Sequence, residues 1–355
     1  MSDPGTLVDQ LTYNYEQVEV EGRLVARPTW MIQQIISTLL REVRFAILNH
    51  YVYLPVTSTS LQLAYRIFLP IFPLISMRLA AVEGGGTTWV AVISEDNPSN
   101  IVDRAVFTTE DPAVTLQKIK EWLLSKSFDA IGIASFGPID CRASSPSFGY
   151  ITSTPKPNWG NTNVLKLLGI YDEFLGIPYK FDTDVNAPAF AEFKCFSKPG
   201  QTSCAYITVG TGIGVGLVIN GQTVHGLAHP EAGHLQVAKR PGDDFVGSCP
   251  FHGACVEGLC STGALTKRKG CKAEDLPAIA DDDELWDITA YYLAQLCACL
   301  ILTACPERIV MGGGMMNRGI LYKKIQEQTV DILKGYISLE IITANIHEYI
   351  VPSEW

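Results

Sequence analysis

From residue 77 onward, apolar residues fall into short runs separated by glycine and proline turns, and the run lengths predict alternating strands and helices. Two distant segments share one design: an apolar run, a glycine/threonine turn, and a second apolar run. The first is Leu79 to Val92 around Gly84-Gly85-Gly86-Thr87-Thr88, and the second is Ala205 to Ile219 around Gly210-Thr211-Gly212-Ile213-Gly214. Each predicts a β-hairpin, the first over 78–95. Pro112 to Ser125 predicts a helix that buries Trp122 and Leu123. Ala130 to Ser135 predicts a buried parallel strand ending in a Phe136-Gly137-Pro138 turn, and Tyr150 to Trp159 a proline-rich loop. Tyr179 to Thr183 predicts a strand and Asn186 to Phe193 a helix, with Asn186 as N-cap and Pro188 in the first turn. A long helix fits Glu284 to Thr303, and Arg308 to Met311 a strand that opens into Gly312-Gly313-Gly314. Strands alternating with helices argue an α/β fold with a mainly parallel sheet, whose ligands gather where strands end.

Residues 1–76 break this pattern. They contain no lysine, are near charge balance, and show no phosphate, metal or catalytic motif. Helical spacing runs through Met31 to Leu48, and Leu61 to Ile75 is apolar but interrupted by Arg66, Pro70 and Pro73, too short for an easy membrane span. The expectation is an N-terminal extension of unknown role (1–76), then two domains, 77–195 and 196–355. Over the whole chain a net charge of −10 and a pI near 5.1 argue against a general nucleic-acid binder. The ten cysteines lie mostly in apolar stretches, which favours reduced thiols and a cytoplasmic location over a disulfide framework.

Two glycine turns carrying hydroxyls suit a polyphosphate gripped from both sides, because glycine lets backbone N–H groups converge on an anion. Asp184, between a predicted strand and a predicted helix, is the candidate to accept a hydroxyl proton during phosphoryl transfer. The opposing reading is that Asp182 or Asp184 merely caps the helix. His234, Cys249, His252 and Cys255 form His-x14-Cys-x2-His-x2-Cys, a donor set for tetrahedral zinc that staples the loop Pro241 to Ser248. His225 and His229 read as loop histidines.

Together these pieces resemble the ROK family of sugar kinases, closest to its fructokinase branch. The resemblance rests on Glu83-Gly84-Gly85-Gly86-Thr87, Ser135-Phe136-Gly137-Pro138-Ile139-Asp140 and Gly149 to Pro157. It continues through Thr183-Asp184-Val185-Asn186-Ala187, Val209 to Gly214, Glu231-Ala232-Gly233-His234 and Cys249-Pro-Phe-His252-Gly-Ala-Cys255-Val-Glu257. It implies an actin-like (ribonuclease H-like) two-domain fold with an inserted zinc-stapled loop, closing over ATP and a hexose. It further implies Asp184 as catalytic base. Phosphate and nucleotide contacts would come from Gly85, Gly86, Thr87, Thr88, Gly210, Thr211, Gly212, Gly214, Gly312, Gly313 and Gly314. Sugar contacts would come from Gly137, Pro138, Asn158, Asp184, Glu231, His234 and Glu257. Magnesium accompanies the nucleotide, zinc is structural, and the enzyme is a homodimer with no nucleic acid or membrane partner. Family members continue past the position of Trp355 into a last helix, whose loss would expose apolar surface. The rival readings are a kinase of mannose, glucose or an amino sugar, and a non-catalytic sugar-sensing regulator.

Overall fold

A computed structural model describes residues 77–354. The helix expected over Met31 to Leu48 and the apolar run Leu61 to Ile75 lie outside them. The first hairpin is β1 (Arg78–Gly84) and β2 (Thr88–Glu95), followed by β3 (Asn97–Thr108) and α1 (Pro112–Leu124). Asp111 caps α1 through its side chain; Leu123 is fully buried, whereas Trp122 is only partly so. Next come β4 (Ala130–Ser135), the short pair β5 (Tyr150–Ile151) and β6 (Thr162–Asn163), α2 (Val164–Leu167), β7 (Tyr179–Thr183) and α3 (Asn186–Phe196). The first sheet has the order β3-β2-β1-β4-β7.

The second half repeats this plan. Its hairpin is β8 (Cys204–Val209) and β9 (Ile213–Ile219), followed by β10 (Gln222–Thr223). Then follow α4 (Val256–Cys260), α5 (Thr262–Lys269), α6 (Glu284–Thr303), β11 (Ile309–Gly312), α7 (Ile320–Leu333), α8 (Glu340–Thr343), α9 (Ile346–Tyr349) and β12 (Ile350–Pro352). The order β10-β9-β8-β11-β12 matches the first sheet strand for strand, with the last two strands parallel to the first in both. The correspondence reaches single bonds. The residue after β7 donates its N–H to the end of β4 (Asp184 to Ser135 O, 3.0 Å), and the residue after β12 does the same toward β11 (Ser353 to Met311 O, 2.9 Å).

Each sheet has its own core. Leu116, Ile119 and Leu123 of α1 pack with Trp89, Ile93, Ile131 and Ile133 over the first sheet. The apolar helix α6 sits in the second core with Ile207, Val215, Ile309 and Met311. It is long and apolar enough to cross a membrane, yet most of it is buried here against other elements, as a core helix is. The α3 helix, placed in the first domain by the sequence boundary, lies against β8 and β9 through Ala189, Phe193, Tyr206 and Val218.

Asn186 does not cap α3. The Thr183 hydroxyl accepts its N–H at 2.9 Å, while the Asn186 amide donates to Asp182 at 3.0 Å and accepts from Leu217 N–H at 3.3 Å. A polar side chain placed between two sheets finds cross-sheet partners before it finds its own helix end.

Candidate active site and metal centre

The strand ends β1, β4 and β7 lie side by side, so their C-terminal turns share one edge of the first sheet. Asp184 follows β7, and burial pushes its carboxyl up to about 7. Glu83, the penultimate residue of β1, is pushed up to about 8, first by burial and then by the Asp184 charge, with Arg104 pulling the other way. Its Oε2 is buried without a hydrogen-bond partner. Glu231 is raised to about 7 by burial, Asp184 and Glu257. Asp184 therefore lies within electrostatic reach of both Glu83 and Glu231, and Glu231 within reach of Glu257 as well. A base near neutrality is what general-base chemistry needs. The sequence noted Glu83 only as an acidic neighbour of the glycines. Its signal was an acid inside an otherwise apolar strand.

Glu83 carries a stability prediction. A folded-state pKa above the unfolded value means its contribution is full below about pH 4.5 and lost as pH rises through about 8. Glu83→Gln keeps the neutral form at every pH. In the ligand-free protein at pH 9 its melting temperature should exceed wild type by about 5 °C, with the gap closing by pH 5. Parallel pH dependence in the two proteins would refute burial of this charge.

The turns themselves are partly self-satisfied. Gly85 N–H donates to Thr88 O and Gly210 N–H to Gly212 O, each at 2.9 Å, so those two amides are engaged inside their turns. Gly86 and Gly210 face open space, where a ligand can approach, and Thr87, Thr88 and Thr211 are exposed or at the rim. Gly212 leaves room for the Glu257 carboxylate, which accepts Ile213 N–H at 3.0 Å. Gly214 packs on Val185, which accounts for its missing side chain without a ligand. Gly312 packs on the Tyr206 ring, and Gly313 has φ +91° against Val209 backbone; of this trio Gly314 faces open space.

On the opposite rim, Trp159 stacks on Trp89 (5.4 Å) and meets Phe136 edge-on (5.2 Å), and its indole donates to Glu110 O at 2.9 Å. This clamps the proline-rich loop to the first hairpin. From that loop Lys156 Nζ donates to Gly86 O at 2.5 Å, tying it to the phosphate turn. The Asn158 amide is taken up by Asp111 at 3.4 Å. Gly137 makes room for the His229 ring and the Glu231 carboxylate. His229 is held between two elements: its Nε2 accepts Ile139 N–H at 2.9 Å, its Nδ1 lies 3.4 Å from Glu231 Oε1, and burial holds it below the ordinary imidazole range.

The four donors of the metal motif converge. Cys249 Sγ lies 3.6 Å from His234 Nδ1 and 3.7 Å from His252 Nδ1, Cys255 Sγ 3.5 Å from His234 Nδ1, and the two Nδ1 atoms 3.3 Å apart. Tetrahedral zinc with bonds of 2.0–2.3 Å requires donors about 3.4–3.8 Å apart, so this set can hold such an ion with little rearrangement. His234 turns Nδ1 to the cluster and Nε2 toward Glu257 Oε1 at 3.9 Å, linking cluster and cleft. The adjoining loop has a second tether that the sequence did not reveal. Arg268 bonds Asp243 through both terminal nitrogens at 2.8 Å, Tyr292 donates its hydroxyl to the same carboxylate, and the guanidinium stacks on Phe245 at 4.2 Å. Cys204, Cys260 and Cys297, in apolar stretches, are buried free thiols.

Comparison with known proteins agrees with this architecture. Residues 79–348 match the ROK family. The chain is 41% identical over 266 residues to a fructokinase of Lactococcus lactis subsp. cremoris, covering 75% of this chain and 88% of that protein. It is 42% identical over 263 residues to a fructokinase of Zymomonas mobilis subsp. mobilis, covering 72% and 85%. In fold it is similar to a ROK family glucokinase from Streptomyces griseus solved with glucose and AMPPNP, with a TM-score of 0.61 at 18% identity over 78% of this chain and 94% of that one. The duplicated sheets are those of the actin-like sugar kinase fold, and the chain belongs to the ROK family.

Proposed function

We propose that this protein transfers the γ-phosphoryl group of ATP to D-fructose, at O6. The observation that carries the reading is Asp184, fixed at the end of β7 by its bond to Ser135 O, with a carboxyl near neutrality and two glycine turns for phosphate. Its carboxylate accepts the proton of the attacking hydroxyl as the new O–P bond forms and the bond to the β-phosphate oxygen breaks, releasing ADP. The amides and hydroxyls of Gly86, Thr87, Thr88, Thr211 and Gly212 hold the phosphates and the developing charge. Glu231, His234 and Glu257 orient the sugar hydroxyls, and closure of the cleft excludes water. Magnesium bound with the nucleotide would supply charge neutralisation, and Glu83, whose Oε2 is buried without a hydrogen-bond partner, would be the protein donor for it. His234, Cys249, His252 and Cys255 would hold zinc in a structural role, since four protein donors would leave no open position. The free thiols suit a cytoplasmic enzyme, and we assign it a homodimeric state by family resemblance.

The fructokinase reading rests on the relatives, because hydroxyl stereochemistry is read by a few side chains only. A panel of hexoses with ATP, followed by ADP release, tests it. Fructose should exceed glucose, mannose and amino sugars in kcat/KM by about tenfold or more. A stronger preference for another hexose replaces fructose, and no turnover with any sugar removes the kinase reading.

A further inference from the structure

A second group of metal-ligating side chains shares no residue with the cleft carboxylates or the Cys/His cluster. Cys141, Asp182 and His225 each offer one donor atom, and the three atoms lie within 4.8 Å of one another. They come from different places. Cys141 follows the turn after β4, Asp182 is on β7, and His225 follows β10 in the second sheet. We propose that Cys141, Asp182 and His225 form a binding site for a borderline-soft divalent cation of the zinc class, bridging the two sheets.

The donor set is the first argument. Thiolate, imidazole and carboxylate together select zinc-like ions over magnesium or calcium, which take oxygen alone. Three protein donors leave a fourth position for water, unlike the four-donor cluster. The second argument is preorganisation. Asp182 is held by Thr183 N–H (2.7 Å), the Asn186 amide (3.0 Å) and the Thr223 hydroxyl (3.1 Å), so its carboxylate is already oriented by its neighbours. His225 Nε2 lies 3.0 Å from Asp182 Oδ1 and 3.3 Å from Asn186 Nδ2. The third argument is access: the Asp182 and His225 side chains keep 22% and 32% of their surface exposed, so an ion can enter.

The same facts set the affinity order. The donors must draw together by up to about 1 Å to reach tetrahedral spacing. The Cys141 thiol must also lose its proton, which burial and then the Asp182 and Asp140 charges oppose. A bound cation reverses the two charge effects but not the first. This site therefore fills after the Cys/His cluster, and only with added metal.

Cobalt(II) added to the zinc-loaded full chain tests the proposal, with retention of the structural zinc checked by metal analysis. Wild type should bind one further equivalent and show a thiolate-to-cobalt charge-transfer band. Cys141→Ser should lose the band while keeping the structural zinc and its own melting temperature, and His225→Gln should bind more weakly. Added zinc should raise the wild-type melting temperature by a few degrees and leave Cys141→Ser unmoved. Absence of the band in wild type, or an undiminished band in Cys141→Ser, overturns the site. An unmoved wild-type melting temperature overturns the bridge between sheets.

Discussion

Asp184→Asn is expected to lower kcat by about 10²- to 10⁴-fold while leaving sugar and ATP binding nearly intact. The amide is isosteric, and the Asp184 N–H to Ser135 O bond that fixes the turn is a backbone bond, so the fold is unaffected. What is lost is the acceptor for the hydroxyl proton. Burial pushes the Asp184 carboxyl up to about 7, and a base works only when deprotonated. Wild-type kcat/KM should therefore rise with pH through about 7 and then level off. Glu83 and Glu231 titrate in the same electrostatic neighbourhood, so the apparent pKa belongs to the group rather than to one residue. Steady-state kinetics from pH 5 to 9 on both proteins is the measurement. If the variant keeps more than about a tenth of wild-type kcat, the proton goes elsewhere.

Chelating the zinc proposed for the Cys/His cluster should lower the melting temperature by about 10 °C. The metal loop has few regular hydrogen bonds: Cys249 and Gly253 exchange a pair at 3.3 and 3.0 Å, and Ser248 N–H reaches Gly258 O at 2.8 Å. Without the ion, the thiols and imidazoles would crowd at 3.3–3.7 Å with nothing at their centre. The loss should stop short of global unfolding, because the Arg268–Asp243–Tyr292 tether holds the other end of the loop. Cys249→Ser should match the chelated protein, since a hydroxyl is a poor replacement for thiolate on zinc. His234 connects the cluster to Glu257, so KM for sugar should rise as the loop loosens, and kcat should change less. Protein purified without chelator that carries no zinc would remove the assignment.

The elements legible in the sequence were those whose signal is local. Both hairpins, β4, β7 and α6 follow from apolar runs bounded by turn residues, and their ends agree with the structure to within a residue or two. The strand β3 was missed. It is the edge of its sheet, its residues from Ile101 to Thr108 alternate between half-buried and exposed, and Val102 and Val106 face solvent. Half-covered alternation with Asp103 and Arg104 inside it reads as loop. Of the candidate site, Asp184, the glycine turns and the four Cys/His donors that the structure brings together were visible as motifs. The partner of Asp182 across the sheets and the Arg268 tether were not, because they join residues 43 and 25 positions apart. Asn186 illustrates the failure well: its local preference is to cap, and a distant strand outcompeted that preference.

The strand-for-strand match of the two sheets gives each strand end in one half a counterpart in the other. The matched backbone bonds identify the counterpart of Asp184 in the second half as Ser353. Here Ser353 instead donates its hydroxyl to Glu192 on α3 at 2.7 Å, and that carboxylate lies 4.0 Å from Arg308. One strand end holds the carboxylate proposed as the base, and its counterpart bonds a helix instead. The two halves thus share one backbone frame but not its use, and of the matched strand ends only one presents a carboxylate.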